Sequence, residues 1–158
     1  QEWEISGKCD SDYAGDKDTR ISVTGYVVYI NGGLVAWKSR GQKNVTLSST
    51  EAEYVALSEL CTEVIFVKMI IESIGVKVKL PIIIQVDNVG AIFLSGNSGT
   101  GQRTKHIDVR YHFIRNLVEA KIIEVVFVRT TENEADIFTK NVSGDLFDKH
   151  VNKFMVNG

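Results

Sequence analysis

Proline, cysteine and long apolar runs are all scarce in this chain of 158 residues. One proline and a hydrophobic content of 44% argue against a disordered chain. Two cysteines exclude a disulfide framework, and Cys61 lies among apolar residues at helical spacing, so we expect a buried thiol and a reducing, intracellular location. The apolar runs fall short of the roughly 18 residues that a membrane-spanning helix needs, so we expect no membrane partner.

The chain also lacks a strong excess of charge of either sign. Its net charge is −2, so bulk charge gives no argument for a nucleic-acid partner, and any such contact must come from a local basic patch. The length predicts a single domain over residues 1–158, with a core at about 7–140 and a C-terminal helix at about 143–155. Because the chain opens on Gln1 without an initiator methionine, we expect a fragment of a longer protein.

Apolar periodicity and turn signals predict an alternation of strands and helices. Asn31-Gly32-Gly33 predicts a hairpin turn, and the apolar run 82–86 is typical of a central strand buried on both faces. In chain order we predict strands at 8–13, 23–30 and 34–38, a helix at about 50–74, a strand at 82–86, helices from 88 and at about 106–120, a strand at 122–128, and helices at 132–140 and 143–154. This order indicates a mixed sheet packed between helices.

The predicted helix at 50–74 is the central feature of the chain. Its apolar face carries one acid, in the series Glu53, Leu57, Leu60, Cys61, Val64, Val67, Ile71 and Ile74. Burying a carboxylate is costly unless it is paired or binds a metal, which makes Glu53 a candidate for chemistry. Glu51 lies roughly 200° round the helix from Glu53. The pairs Ser48–Glu51 and Thr50–Glu53 both fit a capping box, so Glu53 could instead serve only as a cap.

Three further acids stand at the ends of predicted elements. Asp10 ends the first strand, Asp87 ends the buried strand, and Asp136 begins a late helix. In open α/β sheets, sites gather at the carboxyl ends of strands, and clustered carboxylates need cations such as Mg²⁺. Each acid also has a simpler explanation, as a turn residue, a cap or a charge favoured by the helix dipole. Strand alternation puts Asp12 on the same face as Asp10, so spacing does not choose between them.

Five motifs carry a family resemblance. They are Cys9–Asp16 (CDSDYAGD), Ser48–Leu57 (SSTEAEYVAL), Val86–Asn88 (VDN), Arg103–His112 (RTKHIDVRYH) and Ala135–Lys140 (ADIFTK). Their order resembles the ribonuclease H domain of copia-type LTR retrotransposon polyproteins (the pseudovirus family), over roughly residues 7–155. The resemblance implies an α/β ribonuclease H-like fold, with a five-stranded mixed sheet flanked by helices and its first three strands antiparallel.

The resemblance also implies an activity. Members of the family cut the RNA strand of RNA–DNA hybrids during reverse transcription, using four carboxylates and two Mg²⁺ ions, for which Mn²⁺ can substitute. Matched motif by motif, the four acids are Asp10, Glu53, Asp87 and Asp136. A covalently linked reverse transcriptase domain is the implied partner, in the cytoplasm, a virus-like particle or the nucleus. Many cellular relatives have a histidine in the loop before the last acid; here residues 129–133 contain none, which leaves that helper role unassigned.

Contacts with the hybrid are expected near the helix start and in a basic cluster. Ser49 and Thr50, just before Glu53, are placed to read the 2′-hydroxyl, although both could act only as caps; Asn88 is a weaker candidate. Phosphate contacts, unless these side chains form only a solvated face, are expected from Lys38, Arg40, Lys43, Arg103, Lys105 and Arg110. His106 and His112 with Asp108 are a poor zinc set without a nearby cysteine. We expect the two histidines, His106 above all, to border the hybrid or to satisfy polar contacts on the helix.

Two other functions compete with this one. An integrase-type polynucleotidyl transferase shares the fold but typically uses three acids, and it would cut duplex DNA rather than the hybrid. A catalytically inactive remnant would bind the hybrid without cutting it. The presence of all four acids argues against the remnant.

Overall fold

The computed structural model of the chain describes residues 1–15, 18–87 and 105–128. In chain order the elements are β1 (Glu2–Trp3), β2 (Ile5–Asp12), β3 (Val23–Ile30), β4 (Gly33–Gly41), α1 (Ser49–Ser73), β5 (Lys77–Val78), β6 (Ile82–Asp87), α2 (Lys105–Glu119) and β7 (Ile123–Val128). The helices predicted from 88, at 132–140 and at 143–154 lie outside the described residues.

Five strands form one mixed sheet in the order β4-β3-β2-β6-β7. The pairs β2–β3 and β3–β4 are antiparallel, whereas β2–β6 and β6–β7 are parallel. This confirms the predicted five-stranded sheet with its first three strands antiparallel. The short parallel pair β1–β5, which joins Glu2 to Lys77 and Trp3 to Val78, was not predicted, because two-residue strands leave no periodicity to detect.

The predicted hairpin joins β3 to β4. Asn31 and Gly32 both have positive φ, 50° and 83°, as a two-residue turn matching the strand twist requires. Asparagine and glycine are the residues that tolerate this conformation, so the turn follows directly from the sequence. The pairing shifts by one residue between Val28 and Tyr29, where the hairpin has a bulge or irregularity.

The core lies between the sheet and the two helices. The fully buried side chains Leu60 and Val64 of α1 and Ile107 and Ile114 of α2 pack with residues of β2, β3, β6 and β7. At Gly7 of β2 an added Cβ would lie only 3.0 Å from Leu60 Cδ1, so the absent side chain lets α1 approach the strand closely. Cys9 and Cys61 are both buried thiols, and burial raises the pKa of Cys61 to about 12.

Three details of the predicted patterns are wrong. Ile74 is 64% exposed, because it caps α1 after its last turn and no longer follows the helical face. Val118 is 40% exposed, and Leu117 packs on the core instead, so the apolar face of α2 continues at the i+3 position after Ile114. The strand β6 is fully buried on one face alone: Ile82, Ile84 and Val86 are buried, whereas Ile83 and Gln85 are partly exposed.

None of the helices in the described ranges combines the length and apolarity needed to cross a membrane.

Candidate active site

Asp10 lies near the carboxyl end of β2 and is fully buried. Asp12, two residues later on the same strand, is partly exposed and borders the turn that follows. A Cβ at Gly15 would lie 2.6 Å from Asp12 Oδ2, so a side chain there would displace the Asp12 carboxylate. Spacing could not separate these two acids, but burial does, and it singles out Asp10.

Asp87 is the last residue of β6, the parallel neighbour of β2. The parallel pairing of β2 with β6 runs from Ser6 opposite Ile83 to Lys8 opposite Gln85. Asp10 and Asp87 each lie two residues beyond the last pair. The sheet topology therefore places these two acids at the carboxyl ends of neighbouring parallel strands.

The start of α1 supplies two buried acids rather than one. Glu51 is 6% exposed and Glu53 is 7% exposed, so burial alone does not distinguish them. Glu51 lies on the other side of α1 from Glu53, as expected. It is nevertheless buried, because the residues before α1 cover it.

Hydrogen bonding separates the two acids. Ser48 is the N-cap, and its Oγ accepts from the Glu51 N–H at 3.1 Å. Glu51 Oε2 reaches back and accepts from the Leu47 N–H at 2.7 Å. Of the two capping pairs left open by the sequence, Ser48–Glu51 therefore forms, with the carboxylate capping one residue further back than in the standard box. Glu51 therefore has a structural role as a cap at the start of α1.

A buried polar network fixes the residues around these acids, and sequence reasoning missed it. Ser22 Oγ accepts from the Ala14 N–H at 2.9 Å and lies 3.0 Å from Thr46 Oγ1. Gln42 is 3% exposed, and its Nε2 donates to Thr24 Oγ1 at 3.0 Å and to the Ala52 carbonyl at 2.9 Å.

Among the described residues, the side-chain amide of Gln42 has partners for its donor but not for its acceptor. Its Oε1 is buried and accepts no hydrogen bond within the described ranges, which costs about 1–3 kcal/mol. Gln42 is polar and lies close to the basic residues Arg40 and Lys43 in the sequence. Such a pattern is typical of an exposed segment, so it gave no reason to expect a buried side chain.

The predicted hybrid contacts occupy different environments. Ser49, Arg40 and Lys43 are exposed, and Thr50 is partly exposed. The Lys38 ammonium pairs with Glu59 Oε2 at 2.8 Å and lies 5.8 Å from the Tyr26 ring centroid.

Arg110 and Tyr26 lie in the same neighbourhood as α1. The half-buried Arg110 donates from Nη1 to Ser58 Oγ, which joins α2 to α1. Burial raises the pKa of Tyr26 to about 12, with smaller contributions from the negative charges of Glu63 and Glu59. Lys38 and Arg110 therefore already stabilise α1, whereas Arg40 and Lys43 face solvent.

Several predicted site residues are outside what the structure describes. Asn88, Arg103 and Asp136 lie outside the described residues, and Lys105 and His106 are described as backbone of α2 alone. His112 and Asp108, the other members of the disfavoured zinc set, are both exposed.

The comparisons with known proteins concern the whole of this architecture. No family model matches the chain. The chain is 44% identical over 144 residues to the retrovirus-related Pol polyprotein from transposon TNT 1-94 of Nicotiana tabacum, and 40% identical over 147 residues to that from transposon RE1 of Arabidopsis thaliana. These matches cover 91% and 93% of this chain but 11% and 10% of the polyproteins, so the chain spans about a tenth of its relatives' length.

Solved structures show the same fold. LC11-RNase H1, isolated from compost, matches with a TM-score of 0.56 at 15% identity, covering 94% of this chain and 98% of that one. Its complex with an RNA/DNA hybrid matches with a TM-score of 0.57 at 13% identity, covering 85% and 93%. The chain is a homologue of a segment of copia-type retrotransposon Pol polyproteins, and it has the ribonuclease H fold. The resemblance carried by the five motifs is thereby confirmed.

The carboxylate oxygens near the start of α1 and the end of β2 are suitable ligands for a hard cation. Asp10 and Glu53 are both buried carboxylates, and such burial is costly unless cations or hydrogen-bond donors offset it. Mg²⁺ prefers oxygen ligands of this kind. Among the side chains that the structure describes, no group of three or more acidic, histidine or cysteine residues is placed to hold a metal. The side chain of Asp87 and the whole of Asp136 lie outside that set, so the four-acid site stays a prediction.

Proposed function

We propose that this ribonuclease H segment is an endonuclease that hydrolyses the RNA strand of RNA–DNA hybrids during reverse transcription of a retrotransposon. The observation that carries the proposal is the burial of Asp10 at the end of β2 and of Glu53 at the start of α1, both within elements of the ribonuclease H fold. The Pol relatives and the hybrid-bound structural neighbour support the same substrate class.

Asp10, Glu53, Asp87 and Asp136 would hold two Mg²⁺ ions, with Mn²⁺ as a substitute. Bound divalent ions supply charge stabilisation for the attacking and leaving oxygens of an in-line displacement. The task of the chain is to hold four carboxylates ionised and converging, against their mutual repulsion. We expect water rather than a side chain to be the nucleophile.

The exposed start of α1 is the proposed reading surface for the hybrid. Ser49 is exposed and Thr50 partly exposed, one turn before Glu53, where hydroxyl groups can contact the 2′-hydroxyl across a wide minor groove. Arg40 and Lys43 are free to approach phosphates, whereas Lys38 and Arg110 would first exchange their present contacts with α1. Contacts from Asn88, Arg103, Lys105 and His106 are part of the same proposal.

The cellular setting is proposed from the relatives alone. A reverse transcriptase domain on the same polyprotein is the proposed partner, in the cytoplasm, a virus-like particle or the nucleus, and no membrane is involved.

The decisive test compares two aspartates on one strand. The wild type is assayed on a labelled RNA–DNA hybrid with Mg²⁺, beside Asp10→Asn, Asp87→Asn and the matched control Asp12→Asn. Loss of a metal ligand removes several kcal/mol of transition-state stabilisation, so we expect Asp10→Asn and Asp87→Asn to lower the rate about 100-fold or more. Asp12→Asn, which changes the partly exposed neighbour, should stay near the wild-type rate.

Other outcomes point to the rival functions. A wild type that binds the hybrid but leaves it intact at millimolar Mg²⁺ supports an inactive remnant. Cleavage or strand transfer on duplex DNA, with the hybrid left intact, supports the integrase-type enzyme. Full cleavage by Asp10→Asn contradicts the proposed mechanism.

A further inference from the structure

Gln42 connects three parts of the fold through one residue. It directly follows β4 and is 3% exposed. Its N–H donates to the Ser22 carbonyl at 2.8 Å, and its Nε2 donates to Thr24 Oγ1 at 3.0 Å and to the Ala52 carbonyl at 2.9 Å. A single side-chain amide therefore bridges β3 and the first turns of α1.

Each end of this bridge lies next to a candidate metal ligand. The Ala52 carbonyl belongs to the peptide bond whose N–H is that of Glu53, so the bond to Gln42 holds the peptide plane from which Glu53 extends. At the other end, Thr24 is paired with Ser11 in the antiparallel ladder, directly beside Asp10. The amide thus spans from the neighbour of one acid to the neighbour of the other.

The hydrogen bond to Ala52 is additional to those that form the helix. A helical carbonyl at this position already accepts from the N–H four residues later, so α1 does not need Gln42 in order to form. The buried Gln42 Oε1 accepts no hydrogen bond from the described residues, and leaving such an acceptor unpaired costs folding free energy. The amide is held in place by the two bonds that it donates, to Thr24 and to Ala52.

We propose that Gln42 is a positioning residue that sets the separation of Asp10 and Glu53, and with it the affinity of the proposed site for divalent cations. The inference rests on the proposed ribonuclease function and adds a residue to its site. Residues that orient metal ligands through hydrogen bonds typically change metal affinity or activity by about 10–100-fold. A displacement of about 1 Å in a reacting group can have an effect of similar size.

The test uses Gln42→Met, which keeps nearly the same shape and removes both donors. Its matched control is Thr46→Val, which removes the Ser22–Thr46 hydrogen bond of the same network without a bond to α1. Binding of Mn²⁺ to the protein without nucleic acid is measured by electron paramagnetic resonance, and hybrid cleavage is measured against Mg²⁺ concentration.

For Gln42→Met we expect Mn²⁺ binding to weaken about 10-fold or more, with a lower kcat and an unchanged KM for the hybrid. Thr46→Val should bind Mn²⁺ as the wild type does. A folded Gln42→Met protein with wild-type Mn²⁺ affinity would overturn the proposal. If circular dichroism shows that Gln42→Met does not fold, Thr24→Val replaces it, because it frees one end of the bridge and keeps the bond to Ala52; unchanged Mn²⁺ affinity there overturns the proposal equally.

The two proposals fail in different ways. If the wild type binds Mn²⁺ and Gln42→Met weakens that binding, but no hybrid is cut, the ribonuclease function alone is contradicted. If the wild type cuts the hybrid and Gln42→Met behaves like Thr46→Val, the positioning role alone is contradicted.

Discussion

The two halves of α1 are built differently. In the first half, eight consecutive residues from Glu51 to Ser58 are all buried, three of them polar or charged. In the second half Val64 and Ile71 are buried, but Phe66 and Met69 are 57% and 63% exposed. Phe66 and Met69 thus face solvent in the second half, whereas the carboxylates of Glu51 and Glu53 are buried in the first.

Neighbouring elements account for the difference. The first half is enclosed by β2 and β3, by the segment 42–48 and by α2, with the rings of Tyr54 and Tyr111 stacked at 6.0 Å. The second half has one face on the core, which includes Val64 and Ile71, and an exposed face that includes Phe66 and Met69. Burying polar groups costs folding free energy, and proteins tolerate such a cost mainly at functional sites. We therefore expect function at the first half of α1, where the polar groups are buried.

The largest expected effect contrasts two acids within the first half. Glu53→Gln should lower hybrid cleavage about 100-fold or more, because it removes a charged metal ligand. Glu51→Gln should leave cleavage near the wild-type rate, since the amide oxygen can still accept from the Leu47 N–H. Cleavage rates at saturating Mg²⁺ measure both, with thermal unfolding as the control for folding. A greater loss in Glu51→Gln than in Glu53→Gln would mean that the two roles have been exchanged.

The next effect concerns packing where the halves meet. Leu60 is fully buried and packs over Gly7, so Leu60→Ala should reduce the free energy of unfolding by about 2–5 kcal/mol. Urea denaturation followed by circular dichroism measures this loss. A cost below about 1 kcal/mol would show that the surrounding core collapses into the space, and that α1 is less firmly seated on β2 than the close contact at Gly7 indicates.

The smallest expected effect lies in the second half. Met69 is 63% exposed, so Met69→Lys should change the free energy of unfolding by no more than about 0.5 kcal/mol and leave cleavage unaltered. The same urea titration and cleavage assay measure both. A loss comparable to that of Leu60→Ala would show that the exposed face is covered in solution, and the contrast between the halves would then disappear.

The amount predicted from sequence differs along the chain for physical reasons. The turn at Asn31-Gly32 and the helix end before Gly75 depend on local backbone preferences, so a few residues were enough to predict them. Ile74 and Val118 were misplaced, because periodicity gives a face about 100° wide but does not say where neighbouring elements stop covering it.

The sequence by itself determined the order of β2, β3, β4, α1, β6, α2 and β7, the mixed sheet, and the short set of acids from which a site could be built. Local propensity and apolar periodicity act over a few residues, and family motifs are contiguous, so a linear chain displays them. The tertiary structure decided that Asp10 is buried and Asp12 partly exposed, and that Glu51 caps α1. It also decided that Gln42 lies inside. The burial of Asp10 and of Gln42 depends on contacts between residues far apart in the chain, and such contacts exist only once β3, β4 and α1 have packed together.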